Sequence, residues 1–202
     1  MIKEERLNKK KLAKRVAFNH ERLSCSRKTM QDIFRTTFYH PDFTFFNVCK
    51  NGEVTNITYG EVKKQIECFA NHFQNTIGDN AKYVGLLLDN SPEWVSSYYG
   101  LLMAGYIPVL LSTAASKEEN EEILKQLQSN YAVTNKEIGV EKINPFEITE
   151  EKAIERPKWA DGTVLVTSGT SGKSKIYLYT GLELSNQILE IPNLLKRSPN
   201  LG

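Results

Sequence analysis

The chain has 202 residues, 26 of them basic and 24 acidic, a net charge of +2 and 40% hydrophobic residues. This is an ordinary globular composition, long enough to bury roughly 70% of the surface the unfolded chain exposes. The small net charge gives no argument for nucleic acid. The longest apolar runs, such as Val84 to Leu88, are far too short to span a bilayer. The three cysteines (Cys25, Cys49 and Cys68) are widely spaced and odd in number, which suits a reducing compartment and matches no zinc-ligand spacing. The first residues are polar, so no secretory signal is visible and the expected location is the cytoplasm.

Charge is spread unevenly. Residues 1–29 hold ten basic side chains (Lys3, Arg6, Lys9, Lys10, Lys11, Lys14, Arg15, Arg22, Arg27 and Lys28) against Glu4, Glu5 and Glu21. Leu12, Val16, His20 and Leu23 fall at helical spacing, so a basic helix docked by a narrow apolar stripe is expected over 1–28. Such a helix also suits an anionic membrane or an acidic partner.

Thr29 with Asp32 three residues on opens a helix carrying Met30, Ile33, Phe34 and Thr37, which ends before Pro41. Phe43 to Cys49 and Val54 to Ile57 read as strands around an Asn51-Gly52 turn. Thr58 and Glu61 form a capping box ahead of Val62, Ile66, Phe69, Ala70 and Phe73. Lys82 to Leu88 is an apolar strand, followed by a helix that Ser91 caps, Pro92 starts and Gly105 ends. Ile107 to Leu111 is the next strand, Ser116 and Glu119 cap a helix bearing Ile123, Leu124 and Leu127, and Tyr131 to Thr134 is a further strand. After a polar stretch, Thr149 to Asp161, comes the strand Thr163 to Val166. Strands alternating with helices of this length give an α/β fold with a mostly parallel sheet and flanking helices. Residues 29–202 read as its partial domain, and 1–28 as the basic segment. Trp94, Tyr98 and Tyr99 are expected in the core and Cys68 as a buried thiol. His20, His40 and His72 have no partner at ligand or triad spacing.

The last of these strands runs into Thr167-Ser168-Gly169-Thr170-Ser171-Gly172-Lys173-Ser174-Lys175. Two glycines allow close backbone approach to a ligand, four hydroxyls and the backbone amides supply donors, and two lysines supply charge. The natural ligand of such a loop is a polyphosphate. It is not a Walker A loop: that pattern needs glycine at position 167 and a helix after the lysine, whereas Ile176 to Tyr179 reads as a strand.

The loop resembles the phosphate-loop signature T-S-G-[ST]-[ST]-G-x-P-K-G of the adenylate-forming superfamily, which includes acyl-CoA synthetases and peptide-synthetase adenylation domains. Thr167, Ser168, Gly169, Thr170, Ser171, Gly172 and Lys175 meet it. Thr58-Tyr59-Gly60-Glu61-Val62, Asn90-Ser91-Pro92-Glu93 and Met103 to Val109 are similar to the family's earlier segments, so the resemblance covers roughly residues 30 to 190. It implies ATP and Mg2+, a carboxylic acid activated as acyl-AMP, and transfer to coenzyme A or a phosphopantetheinyl carrier protein, with no nucleic acid and no transmembrane segment. It further implies that Thr167, Ser168, Gly169, Thr170, Ser171 and Gly172 cradle phosphates and that Lys175 acts catalytically by neutralising them, with no protein metal ligand among these residues. The family's later Y-G-x-T-E motif, ribose-binding aspartate, hinge and C-terminal domain belong beyond residue 202, so the chain is expected to be inactive alone. The alternative is a short, non-catalytic relative serving as a binding or assembly module. Two departures stand out: Ser174 replaces the family's proline and Ile176 its glycine. The first is expected to raise the cost of ordering the loop, and the second to block any positive φ needed there.

Overall fold

The computed structural model describes residues 2–50, 53–149, 151–167 and 174–197, with the backbone alone at 2–12, 50 and 192–197. In chain order the elements are α1 (Ile2–Ser24), α2 (Met30–Thr37), β1 (Thr44–Lys50), β2 (Glu53–Thr58), α3 (Tyr59–Ile77), β3 (Tyr83–Leu87), α4 (Pro92–Ala104) and β4 (Ile107–Leu110). They continue with α5 (Lys117–Gln126), β5 (Tyr131–Thr134), β6 (Glu141–Ile143), β7 (Gly162–Thr167), β8 (Lys175–Thr180) and α6 (Gly181–Arg197). The chain divides into two units, Met1–Tyr39 with Thr180–Gly202, and His40–Tyr179.

Local chemistry sets the boundaries in the larger unit. Thr58 caps α3 reciprocally with Glu61, and Ser116 caps α5 reciprocally with Glu119, each pair satisfying two backbone N–H groups that the first turn leaves without helical partners. The Ser91 hydroxyl accepts from the Trp94 N–H, with Pro92 in the first turn. Gly105 ends α4 at a φ of 101°, a left-handed conformation that favours glycine.

Six strands form one sheet in the order β6-β5-β3-β4-β7-β8. The pairs β3–β4, β3–β5, β4–β7 and β5–β6 are parallel. From β3 the chain steps one way to β4, then returns across β3 to β5. Because both crossovers are right-handed, α4 and α5 must cover opposite faces. On the α5 side, Leu87, Val109, Leu111, Ala132 and Val164 pack with Ile123 and Leu124. There Gly85 lets the helix in: a Cβ built on it lies 3.0 Å from Leu124 Cδ2 and 3.2 Å from both Ala132 Cβ and Leu111 Cδ1. On the other face α4 packs against α3, whose Val62, Ile66, Ala70, Phe73 and Ile77 are buried.

The small residues of α4, rather than its aromatics, make that helix pair close. Ser96, Ser97 and Gly100 are buried, whereas Trp94, Tyr98 and Tyr99, expected in the core, are half-buried with Trp94 stacked on Tyr98 at 5.4 Å. Cys68 likewise is half-buried, its Sγ 3.4 Å from the Glu151 carbonyl oxygen. The polar stretch 151–161 is an irregular strap over α3 and α4. The N–H groups of Ile154, Lys158 and Ala160 donate to the carbonyls of Glu67, Met103 and Leu102.

β1 and β2 pair antiparallel as a separate ribbon, and the expected Asn51-Gly52 turn between them lies outside the described residues. In the smaller unit α1, α2 and α6 pack together. Thr29 and Asp32 form the expected capping box of α2, while its buried threonine is Thr36 rather than Thr37. Of the expected α1 stripe, Leu23 is buried but Val16 and His20 are exposed.

Candidate functional site at the carboxyl edge of the parallel sheet

Open parallel sheets bind ligands beyond the carboxyl ends of their strands, where the strand order reverses. Here the reversal falls between β3 and β4, and the next strand outward from β4 is β7. The segments after β3, β4 and β5 bring Asp89, Thr113 and Lys136 together at this edge. Lys136 Nζ lies 3.3 Å from Asp89 Oδ2. The Thr113 hydroxyl, and then Lys136, hold the exposed Asp89 carboxyl below its ordinary pKa. The Thr134 hydroxyl donates to the Leu87 carbonyl at 2.7 Å and also accepts from the Lys136 N–H at 3.0 Å, which fixes the start of that loop. Sequence reasoning passed over this cluster. Its only signal was a run of polar residues directly after each apolar strand.

Of the residues expected to hold phosphate, Thr167 and Lys175 are described. Thr167 is the last residue of β7 and Lys175 the first of β8, and both are exposed. Ser168, Gly169, Thr170, Ser171 and Gly172, with Lys173, lie outside the described residues. A Cβ on Gly162, at the start of β7, would meet Leu178 Cδ1 at 3.0 Å and Tyr179 O at 3.3 Å, near the end of β8. The pair is therefore an antiparallel hairpin, and Thr167 and Lys175 stand at the same end of the sheet. That is the carboxyl edge.

Ile176 lies in the strand expected over Ile176 to Tyr179: it falls within β8, its backbone has no positive φ to obstruct, and its half-buried side chain packs against the α5-side core. Extended backbone favours Ile, so this replacement is a strand residue doing strand packing. Ser174 is exposed, just ahead of β8.

The histidines make local contacts of their own. His20 Nε2 is 3.2 Å from the Leu189 carbonyl oxygen, the His40 ring meets that of Phe43 edge-on at 5.5 Å, and His72 Nε2 is 3.4 Å from Thr76 Oγ1. Among the described residues no group of three or more His, Cys, Asp or Glu side chains is placed to hold a metal ion. Two phenols are perturbed for structural reasons. Burial pushes Tyr98 up, and burial followed by the charge of Asp79 pushes Tyr106 up to about 12, with its hydroxyl donating to the Gly78 carbonyl at 2.6 Å.

The architecture thus defines an open, mostly parallel α/β domain whose carboxyl edge carries a loop rich in glycine and hydroxyl side chains. The chain belongs to the AMP-binding enzyme family, whose pattern it matches over residues 34–197. It is 33% identical over 87 residues to crotonobetaine/carnitine–CoA ligase of Salmonella arizonae, an alignment covering 42% of this chain and 16% of that protein. With 2-succinylbenzoate–CoA ligase of Bacillus cereus it shares 22% identity over 157 residues, covering 73% and 32% respectively. The chain therefore spans between about a sixth and a third of the length of these curated relatives.

Solved structures share the fold at low identity. The N-terminal subdomain of Klebsiella oxytoca NpsA, in complex with 3-hydroxybenzoyl-AMSN, superposes with a TM-score of 0.61 at 21% identity, covering 76% of this chain and 41% of that one. O-succinylbenzoate coenzyme A synthetase (MenE) of Bacillus subtilis, in complex with AMP, gives 0.62 at 20% identity, covering 84% and 45%. No helix among the described residues is long and apolar enough to cross a membrane.

Proposed function

We propose that this chain is the N-terminal portion of an ATP-dependent adenylate-forming ligase, a partial AMP-binding domain over residues 29–202 preceded by a basic segment, working in the cytoplasm. The observation that carries the reading is the family match together with Thr167 and Lys175 flanking the loop at the carboxyl edge of the sheet. In this role the backbone amides and hydroxyls of Thr167, Ser168, Gly169, Thr170, Ser171 and Gly172 cradle the β- and γ-phosphates of ATP, and Lys175 neutralises charge as pyrophosphate departs. Magnesium, if it takes part, would be held chiefly by the nucleotide's phosphates rather than by the described side chains, and would neutralise their charge. A carboxylate attacks the α-phosphorus, the bond to pyrophosphate breaks, and the resulting acyl-AMP passes its acyl group to the thiol of coenzyme A or of a carrier protein's phosphopantetheine. The relatives are ligases of crotonobetaine or carnitine and of 2-succinylbenzoate with coenzyme A; this chain's acid is of the same broad carboxylate class. The chain alone is expected to give no ATP–pyrophosphate exchange.

Calorimetric titration of magnesium-ATP into the wild type and Lys175→Ala tests the reading. The substitution should weaken binding about tenfold or more, roughly 1.4 kcal/mol. Absent binding by folded wild type, or equal binding by both proteins, would remove the loop as a phosphate site and favour the non-catalytic assembly module.

A further inference from the structure

Charge and exposed apolar surface coincide in the smaller unit. Residues 1–29 hold ten of the 26 basic and three of the 24 acidic side chains, so they carry +7 and the remainder of the chain −5. Most of these basic residues lie on α1, which ends at Ser24, before the family match begins at residue 34. The charge thus belongs to a helix outside the part shared with AMP-binding enzymes. In the same unit large apolar side chains are exposed: Val16 by 51% and Phe18 by 36% on α1, and Leu182 by 51%, Ile188 by 41% and Ile191 by 50% on α6. Three of them, Val16, Ile188 and Ile191, border one opening of about 260 Å³ whose wall includes Leu23 and Ile33. The contact of His20 with the Leu189 carbonyl holds the two helices at this opening.

Each simpler account covers half of this. A solvated basic helix explains the lysines and leaves the apolar opening in water. A nucleic-acid surface uses the cations, because its affinity comes chiefly from neutralised phosphates, but gains little from exposed isoleucines. A bilayer surface uses both. Anionic headgroups attract Lys and Arg within a Debye length, and apolar side chains settle at the acyl boundary. We infer that the unit formed by α1, α2 and α6 docks peripherally on an anionic phospholipid surface, with the basic helix α1 supplying attraction and the Val16–Ile188–Ile191 patch supplying insertion. The inference is independent of the phosphate loop.

The test is co-sedimentation of the whole 202-residue chain with vesicles of phosphatidylcholine, with and without phosphatidylglycerol. Binding is expected on the anionic vesicles alone, and to fall about tenfold or more between about 0.1 M and about 0.5 M salt. The triple variant Lys9→Glu, Lys10→Glu, Lys11→Glu should lose binding about tenfold or more, since each cation near the surface contributes. Ile188→Ser with Ile191→Ser should weaken vesicle binding severalfold and leave retention on heparin unchanged, while Lys175→Ala leaves vesicle binding as it was. Circular dichroism on each variant separates lost binding from lost folding, and the lipid and salt comparisons need no variant. No partition onto anionic vesicles at low salt overturns the inference, as does equal binding to neutral vesicles. Unchanged vesicle binding by the double isoleucine variant also overturns it, leaving a general polyanion surface.

Discussion

Gly85 offers the sharpest test of how α5 sits on the sheet. Adding one methyl there places a Cβ 3.0 Å from Leu124 Cδ2, 3.2 Å from Ala132 Cβ and 3.2 Å from Leu111 Cδ1, with Leu124 and Ala132 fully buried. Leu124 can swing; Ala132 cannot move without its strand. Overpacking of this kind costs about 1–3 kcal/mol, and glycine's own penalty in a strand, about 0.5–1 kcal/mol, returns part of it. Gly85→Ala should therefore lose about 1–2 kcal/mol, which at a urea dependence of about 2 kcal/mol/M moves the unfolding midpoint down by about 0.5–1 M. Leu124→Ala alone should cost about 2–5 kcal/mol by leaving a cavity. In the double variant the new methyl partly fills that cavity, so the combined loss should fall short of the sum by about 1 kcal/mol. Paired urea titrations followed by tryptophan fluorescence and circular dichroism read all four proteins. A Gly85→Ala protein as stable as wild type, or strict additivity in the cycle, would refute the seating of α5 described above.

Two further predictions concern the turn after β3. Ser91→Ala removes the acceptor of the Trp94 N–H and should destabilise the chain by about 1 kcal/mol, seen as a lower urea midpoint with unchanged slope. Asp89 should titrate below the ordinary carboxylate range of about 4 when followed by carbon-detected NMR. Thr113→Val should raise its midpoint most and Lys136→Ala next. Because its folded pKa is depressed, any stability Asp89 contributes is present above the ordinary value and is lost as pH falls through the depressed one. An Asp89 midpoint unmoved by both substitutions would contradict the cluster.

Much of this architecture was legible because local and global signals agree. The strands β3, β4 and β5 are uninterrupted apolar runs, as strands buried on both faces must be, and capping boxes or a Ser-Pro start mark the helices between them. Legibility failed where tertiary context decides. β6 has three residues and pairs in parallel with β5 after a link of only six, held where the Gly139 N–H donates to Glu121 Oε1 at 2.6 Å. No periodicity can show that. Helix α6 was not foreseen, although Thr180 and Glu183 make the same reciprocal capping bonds as the three recognised boxes. The aromatics of α4 misled for another reason. Hydrophobicity ranked Trp94 and Tyr98 above Ser96 and Ser97, but close approach of α3 favours small residues at the contact. At the candidate site residue types alone pointed to the loop, of whose expected phosphate residues Thr167 and Lys175 are described, whereas the Asp89–Thr113–Lys136 cluster depends on strand order.

The two departures from the family's loop now separate. With Ile176 accounted for as a strand residue, Ser174 is the substitution left to test against the proposed phosphate binding. Proline at this position fixes φ and narrows the unliganded ensemble, and a residue just ahead of a strand can take it without losing a helical hydrogen bond. Ser174→Pro should therefore reduce the ordering cost of binding by about 0.4–1 kcal/mol. That is a gain of about two- to fivefold in magnesium-ATP affinity by calorimetry, with the improvement in the entropy rather than in the number of contacts. Lys175→Ala added to Ser174→Pro should remove the gain together with the binding. If Ser174→Pro leaves the affinity unchanged while the hairpin stays folded, ordering of the loop does not limit binding in this chain, and the serine is a neutral replacement. If affinity falls, the backbone at residue 174 needs a conformation or an N–H donor that proline denies, and the loop engages phosphate differently from its relatives.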